Sequence, residues 1–179
     1  TAYVEYPKDV SPDKLLTAVI AVHGSNRGSE DYLETPFYSR QREIALENGC
    51  VFAVVSNRSD TWGTDDGLYN IDLLIERVCA DNRIRKKVVL WATSAGGVTA
   101  NRMVIEHPDK VACVIGTFPV YDLMSGFQLS SCKHAWKTKD ADAFSDLVKN
   151  INPSGFPEQL KKCKFFITHG SCDTAVPLC

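Results

Sequence analysis

The chain alternates short, almost wholly apolar runs with stretches in which apolar residues return every three or four positions. Residues 17–22 (TAVIAV), 50–55 (CVFAVV), 87–93 (KVVLWAT), 111–118 (VACVIGTF) and 163–168 (CKFFIT) are of the first kind. They are rich in β-branched and aromatic residues and too short for helices, so each predicts a buried strand. Tyr3–Tyr6 predicts one more strand, at an edge. Ile71, Leu74, Ile75 and Val78 stand at i, i+3, i+4 and i+7, which predicts a helix over 68–80 with one buried face. Phe37, Gln41, Ile44 and Ala45 keep helical spacing after Thr35-Pro36, a capping residue and a first-turn proline, and Gly49 suits the stop. Another helix follows Ser94-Ala95-Gly96-Gly97 and should end before Pro108. The stretch 120–155 is less regular, with one helical face at Phe144, Leu147, Val148 and Ile151.

Continuous apolar strands separated by helices imply an α/β fold, a mostly parallel sheet flanked by helices. With no repeat, low-complexity tract or linker, residues 1–179 are expected to form a single domain, with 120–155 as a candidate lid. The longest apolar runs are too short to span a bilayer, so no membrane partner is expected. Twenty Lys plus Arg against 22 Asp plus Glu give a net charge of -2, and no basic stripe points to nucleic acid. The seven cysteines are an odd set without a Cys-x-x-Cys pair, which gives a zinc or redox site little support. Cys50, Cys113 and Cys163 read as small core hydrophobes, and Cys172 and Cys179 are close enough in sequence to pair. This cysteine usage leans towards a cytoplasmic setting.

In a parallel sheet, chemistry gathers in the loops at the carboxyl ends of the strands. Three such loops stand out, after Val22, Trp91 and Ile167. The second reads Ala92-Thr93-Ser94-Ala95-Gly96, a small-x-Ser-x-Gly turn between strand and helix, the pattern of a nucleophile elbow. A serine on so tight a turn projects its hydroxyl clear of the sheet, beside the free amides of a helix N-terminus. Ser94 is therefore the candidate nucleophile. The first loop reads His23-Gly24-Ser25-Asn26-Arg27-Gly28. A glycine there lets a backbone N–H face a substrate, so Ser25 is assigned as one oxyanion donor and Ala95 as the other. His23 reads as structural, orienting its loop. The third loop reads His169-Gly170-Ser171-Cys172-Asp173, and Asp173 is the candidate acid that would orient a catalytic histidine. Asp122, which also follows a strand, is the alternative acid.

Together these motifs resemble the α/β-hydrolase superfamily. Three segments carry the resemblance: HGSNRGSEDY at 23–32, YNIDLLIERVCADNRIRKKVVLWATSAGG at 69–97 and HGSCDTAVP at 169–177. The spacing is most similar to esterases of the feruloyl-esterase and polyhydroxybutyrate-depolymerase-like group, and dienelactone hydrolases and prolyl oligopeptidases share the acid-loop pattern. Ala92 stands where the usual elbow has its first glycine. The resemblance implies a serine-dependent carboxylic-ester hydrolase with an acyl-enzyme intermediate, a small-molecule ester substrate and no cofactor. A peptidase or lactone hydrolase of the same superfamily, or a non-catalytic binding protein on this fold, are the alternative readings. Phe127, Leu129 and Trp136 would either line an acyl pocket or pack a lid; the substrate-binding residues stay unknown.

The superfamily order is Ser, Asp, His, yet the four histidines are His23, His107, His134 and His169, all before Asp173. The chain is therefore expected to lack the last strand and helix of the fold and to be inactive as it stands unless a histidine comes from elsewhere. His134, in the irregular stretch, is the one with freedom to reach Ser94. The strand at 163–168 should then be an open apolar edge, a route to homo-oligomers.

Overall fold

The computed structural model describes residues 1–8, 10–11 and 13–176. Six strands form one sheet in the order β1-β3-β2-β4-β5-β6. They are β1 Ala2–Glu5, β2 Ala18–Val22, β3 Val51–Val55, β4 Val88–Thr93, β5 Val111–Thr117 and β6 Lys164–Thr168. Only β1 runs antiparallel, against β3; the other pairs are parallel. Each apolar run of the sequence thus becomes a strand, shifted at its ends by no more than about a residue. All five residues of β2 are buried, as expected of a strand covered on both faces.

The helices are α1 Asp31–Glu34, α2 Pro36–Glu47, α3 Asp65–Cys79, α4 Gly96–Glu106, α5 Leu123–Gly126, α6 Ser130–Ala135, α7 Ala141–Val148 and α8 Pro157–Leu160. Helix α3 begins three residues before the predicted start because Thr64 caps it, accepting a hydrogen bond from the Gly67 amide at 3.2 Å. Thr35 does not cap α2 in this way; its hydroxyl donates instead to Asp31 at 3.1 Å. Two core clusters lie on opposite faces of the sheet. Leu68, Ile71, Leu74, Ile75 and Val78 of α3 pack with Ile20, Leu90 and Met103 on one face, and Tyr32, Tyr38, Ala45, Phe52 and Val54 pack on the other. A third cluster joins Trp62, Ala95 and Val98 to Leu123, Phe127, Cys132, Phe144 and Val148 of the 120–155 stretch.

Some expectations need correction. Leu147, placed on the buried face of α7, is 56% exposed, since a helix of only two turns buries Phe144 and Val148 and leaves its flank free. Cys50 and Cys163, just before β3 and β6, and Cys113, within β5, are only half-buried, whereas Cys132 is fully buried. The Cys172–Cys179 pairing involves a residue outside the described ones. Strand β6 lies at the sheet edge, with Phe166 66% and Ile167 55% exposed. An apolar groove of about 360 Å³, bordered by Asn101, Val114, Leu160 and Phe165, opens beside it.

Candidate active site

Ser94 lies between β4 and α4 with φ +52°, a left-handed conformation that non-glycine residues seldom adopt. Such a residue costs on the order of 1–2 kcal/mol and persists where its surroundings fix it. Here its amide donates to the Thr117 carbonyl at 3.1 Å, and its carbonyl accepts from the amides of Gly97 and Val120, each at 2.9 Å. The turn is sewn to the end of β5 and cannot relax independently. Small residues make the approach possible. A Cβ on Gly96 would stand 2.6 Å from the His23 carbonyl oxygen and closer still to that of Val22. Below the turn, Gln41 of α2 donates to the buried Thr93 hydroxyl at 3.2 Å.

The loop after β2 comes directly against this serine. A Cβ on Gly24 would lie 3.5 Å from the Ser94 Cβ and 2.9 Å from the Tyr38 hydroxyl. Residues Gly24–Arg27 form a turn closed by the Arg27 amide on the Gly24 carbonyl at 3.3 Å, with Asn26 at φ +57°. The central amide of such a turn is left free. Among the described residues, neither the Ser25 nor the Ala95 amide donates to a backbone carbonyl. Two unengaged amide donors are therefore left, one in the loop after β2 and one at the residue following Ser94.

His23 is buried and both its ring nitrogens are used. Nε2 accepts from the Asn57 amide at 2.8 Å, so Nδ1 carries the proton and donates to the Gly24 carbonyl at 2.8 Å. Burial pushes its pKa below the ordinary histidine value, and the Asn57 N–H facing Nε2 leaves no room for a second proton. A histidine held neutral in the fold binds fewer protons than in the unfolded chain. Stability should be constant above about pH 6.5, the free-histidine value, and fall as the pH drops from there towards the lower folded value. Thermal melts between pH 5 and 8 should show this slope, and His23→Asn should flatten it. An unchanged slope would remove His23 as its source.

The acid loop is ordered from within. Asp173 Oδ1 accepts from the Ala175 and Val176 amides, each at 2.9 Å. The Val176 amide holds this carboxyl below its usual pKa against the opposing effect of desolvation, with the Ala175 amide and His169 adding to the lowering. His169 Nε2 is 3.8 Å from Asp173 Oδ2 but spends its proton on the Val176 carbonyl at 2.6 Å. Val176 packs in the same cluster as Ala95 and Trp62, which brings the third loop to the elbow. Pro177 of this motif lies outside the described residues.

Asp122 has a different job. It caps α5 through the Met124 and Ser125 amides and accepts from Asn152 Nδ2 at 2.7 Å and Ser154 Oγ at 3.2 Å. Its carboxylate closes the 123–152 segment on itself. Phe127 stacks on Phe144 with ring centroids 4.3 Å apart, and Trp136 meets the same ring edge-on at 6.0 Å. These aromatics pack the segment, while Leu129 is exposed. Sequence reasoning gives Tyr38 no role and takes Trp62 no further than a place beside the pocket. Tyr38 sets its hydroxyl beside Gly24. Trp62, fully buried, reaches both the Ser25 loop and α6. Their partners are 14 to 69 residues away in sequence, and no local pattern announces them.

The sequence pattern of the prolyl oligopeptidase family matches residues 46–179, most of the chain. The chain belongs to the prolyl oligopeptidase family. No curated protein matches it. Among solved structures, the acylaminoacyl peptidase of Pyrococcus horikoshii superposes with a TM-score of 0.75 at 14% identity, covering 99% of this chain and 30% of that one. Est1E from Butyrivibrio proteoclasticus, solved with ferulic acid bound, gives 0.73 at 17% identity over 99% of this chain and 77% of that one. The S-formylglutathione hydrolase of Staphylococcus aureus gives 0.72 at 16%, over 93% and 71%. The chain thus spans under a third of the peptidase and about three quarters of the two smaller enzymes. At these identities the likeness establishes the fold, that of the α/β-hydrolases, on which this prolyl oligopeptidase family member is built.

Proposed function

We propose that this chain is a serine-dependent carboxylic-ester hydrolase acting through an acyl-enzyme, with Ser94 as nucleophile. The single observation carrying the reading is the left-handed Ser94 at the carboxyl edge of the sheet, with Gly24 against its side chain. Ser94 Oγ attacks the ester carbonyl and its proton passes to an imidazole. The amides of Ser25 and Ala95 hold the oxyanion, a pair of donors of which each is worth roughly 3–4 kcal/mol. The alcohol leaves with the proton. Water, deprotonated by the same imidazole, then attacks the acyl group, and Ser94 recovers its proton as the acid departs. Asp173 orients the imidazole.

None of the chain's own histidines suits that imidazole. His23 has both ring nitrogens engaged, and His169 spends its Nε2 proton on the Val176 carbonyl. His107 closes the end of α4, and His134 is exposed on α6 beside Lys133 and Lys137. The reading therefore takes the base from outside the described residues. A second reading, a peptidase, is favoured by membership of the prolyl oligopeptidase family.

Free imidazole supplies the test. Release of p-nitrophenol from p-nitrophenyl acetate and butyrate is compared with release of p-nitroaniline from aminoacyl anilides, with and without imidazole. Ser94→Ala subtracts the reaction of imidazole alone. The expected result is imidazole-dependent ester cleavage above that background. Faster cleavage of the anilides selects the peptidase reading. Equal rates in the two proteins leave only a non-catalytic protein on this fold.

A further inference from the structure

Trp62 ends the 3-10 turn Ser59–Trp62 between the Ser25 loop, α4 and the 123–152 segment, and it is fully buried. Its indole N–H is shared between two hydroxyls, Ser25 Oγ at 3.1 Å and Ser131 Oγ of α6 at 3.2 Å. Its carbonyl accepts the indole N–H of Trp136 at 3.1 Å, so α6 and the residue that follows it grip Trp62 from two sides. The ring lies against Gly126 of α5, where a Cβ would stand 2.5 Å from it. The turn beneath is itself pinned. Thr61 donates to the His23 carbonyl at 2.6 Å, Thr99 of α4 donates to the Thr61 carbonyl at 2.8 Å, and buried Arg102 donates to the Gly63 carbonyl at 2.6 Å.

The Gly24–Arg27 turn is anchored at its far end, where Arg27 forms an isolated antiparallel bridge with Arg58 and pairs with Asp31 at 3.2 Å. The His23 ring holds the Gly24 carbonyl, and the Trp62 indole holds the Ser25 side chain. Tilting this turn swings the Ser25 amide relative to Ser94, and an oxyanion donor works only when aimed within a few tenths of an ångström. We infer that Trp62 is a positioning residue: its indole N–H fixes the direction of the Ser25 amide and, through the shared bond to Ser131, ties that direction to the seating of α6. This rests on the serine-hydrolase reading above and adds a route by which the 123–152 segment sets the competence of the oxyanion site. The physical basis is that a three-centre hydrogen bond divides one donor between two acceptors, so weakening one strengthens the other.

The test is the rate at which the protein, with free imidazole supplied as the base, is phosphonylated by a fluorophosphonate, separated into the maximal rate and the half-saturating concentration. Ser25→Ala keeps the backbone amide and removes the acceptor. Trp62→Phe keeps an aromatic ring and removes the donor. Each should lower the maximal rate about tenfold, less than deletion of a donor outright, while leaving half-saturation within about twofold. The double variant should be no slower than the singles, because both remove the same bond. In indole ¹H–¹⁵N spectra, the signal lost in Trp62→Phe should be the one that shifts in both Ser25→Ala and Ser131→Ala. Should Trp62→Phe not fold, Ser25→Ala and the indole shifts decide alone. Variants phosphonylated at the wild-type rate, or a double whose loss is the product of the singles, overturn the positioning role. Wild type that takes no label overturns the hydrolase reading instead.

Discussion

Ser94→Ala, with free imidazole supplied as the base, is expected to remove covalent capture by fluorophosphonates altogether and to bring ester cleavage down to the rate of imidazole alone. The size follows from what is lost. Alanine leaves the two amides and the loop geometry in place but offers no oxygen to form the acyl bond, so only the reaction of imidazole itself survives. The control is Ser39→Ala, a partly exposed serine on α2, which should label like the wild type. Stability should not explain the loss. Ser94 already sits at φ +52°, and alanine tolerates that conformation little worse than serine. Melting temperatures of Ser94→Ala and wild type should therefore agree within a few degrees. Labelling that persists in Ser94→Ala would mean another residue reacts.

The largest expected effect on folding comes from Gly96→Ala. A methyl there would press on the carbonyl oxygens of Val22 and His23, both backbone atoms of the fully buried end of β2. Neither can step aside without breaking the β2–β4 ladder, whose register pairs Val22 with Ala92. Overpacking against fixed backbone should cost about 3 kcal/mol or more. For a domain of this size that lowers the melting temperature by roughly 10 °C. A comparable glycine with room around it gives the contrast. A methyl on Gly155 would meet nothing within 4 Å, and Gly155→Ala should melt like the wild type. Thermal unfolding followed by circular dichroism measures both. A Gly96→Ala melt within 2 or 3 °C of wild type, about 1 kcal/mol, would show that β2 and α4 are not held as tightly as described.

Much of this arrangement is legible in the sequence because burial dictates residue type. Strands covered on both faces must be apolar throughout, and the runs at 18–22, 51–55 and 88–93 say so without ambiguity. The elbow is legible for a related reason, since only small residues around Ser94 let strand and helix meet. The segment between β5 and β6 is not legible. Helices α5 and α6 have four and six residues, too few for a helical period, and they are fixed by a side chain from far along the chain. Asn152 both caps Leu123 and holds Asp122, across about thirty residues. Thr35 shows the opposite failure. It has the residue type and position of a helix cap, but Asp31 one turn earlier takes its hydroxyl first. The same long-range logic hid the bonds of Trp62, whose hydrogen-bond partners Ser25 and Ser131 lie on either side of it, far off in sequence.

The roles of Ser25 and Ala95 turn on where an oxyanion would sit, and a crystal structure of the fluorophosphonate adduct measures that directly. The account predicts phosphorus bonded to Ser94 Oγ, with the phosphonyl oxygen roughly 2.7–3.1 Å from the amide nitrogens of both Ser25 and Ala95. An adduct on any other residue, or a phosphonyl oxygen turned away from both amides, would contradict it.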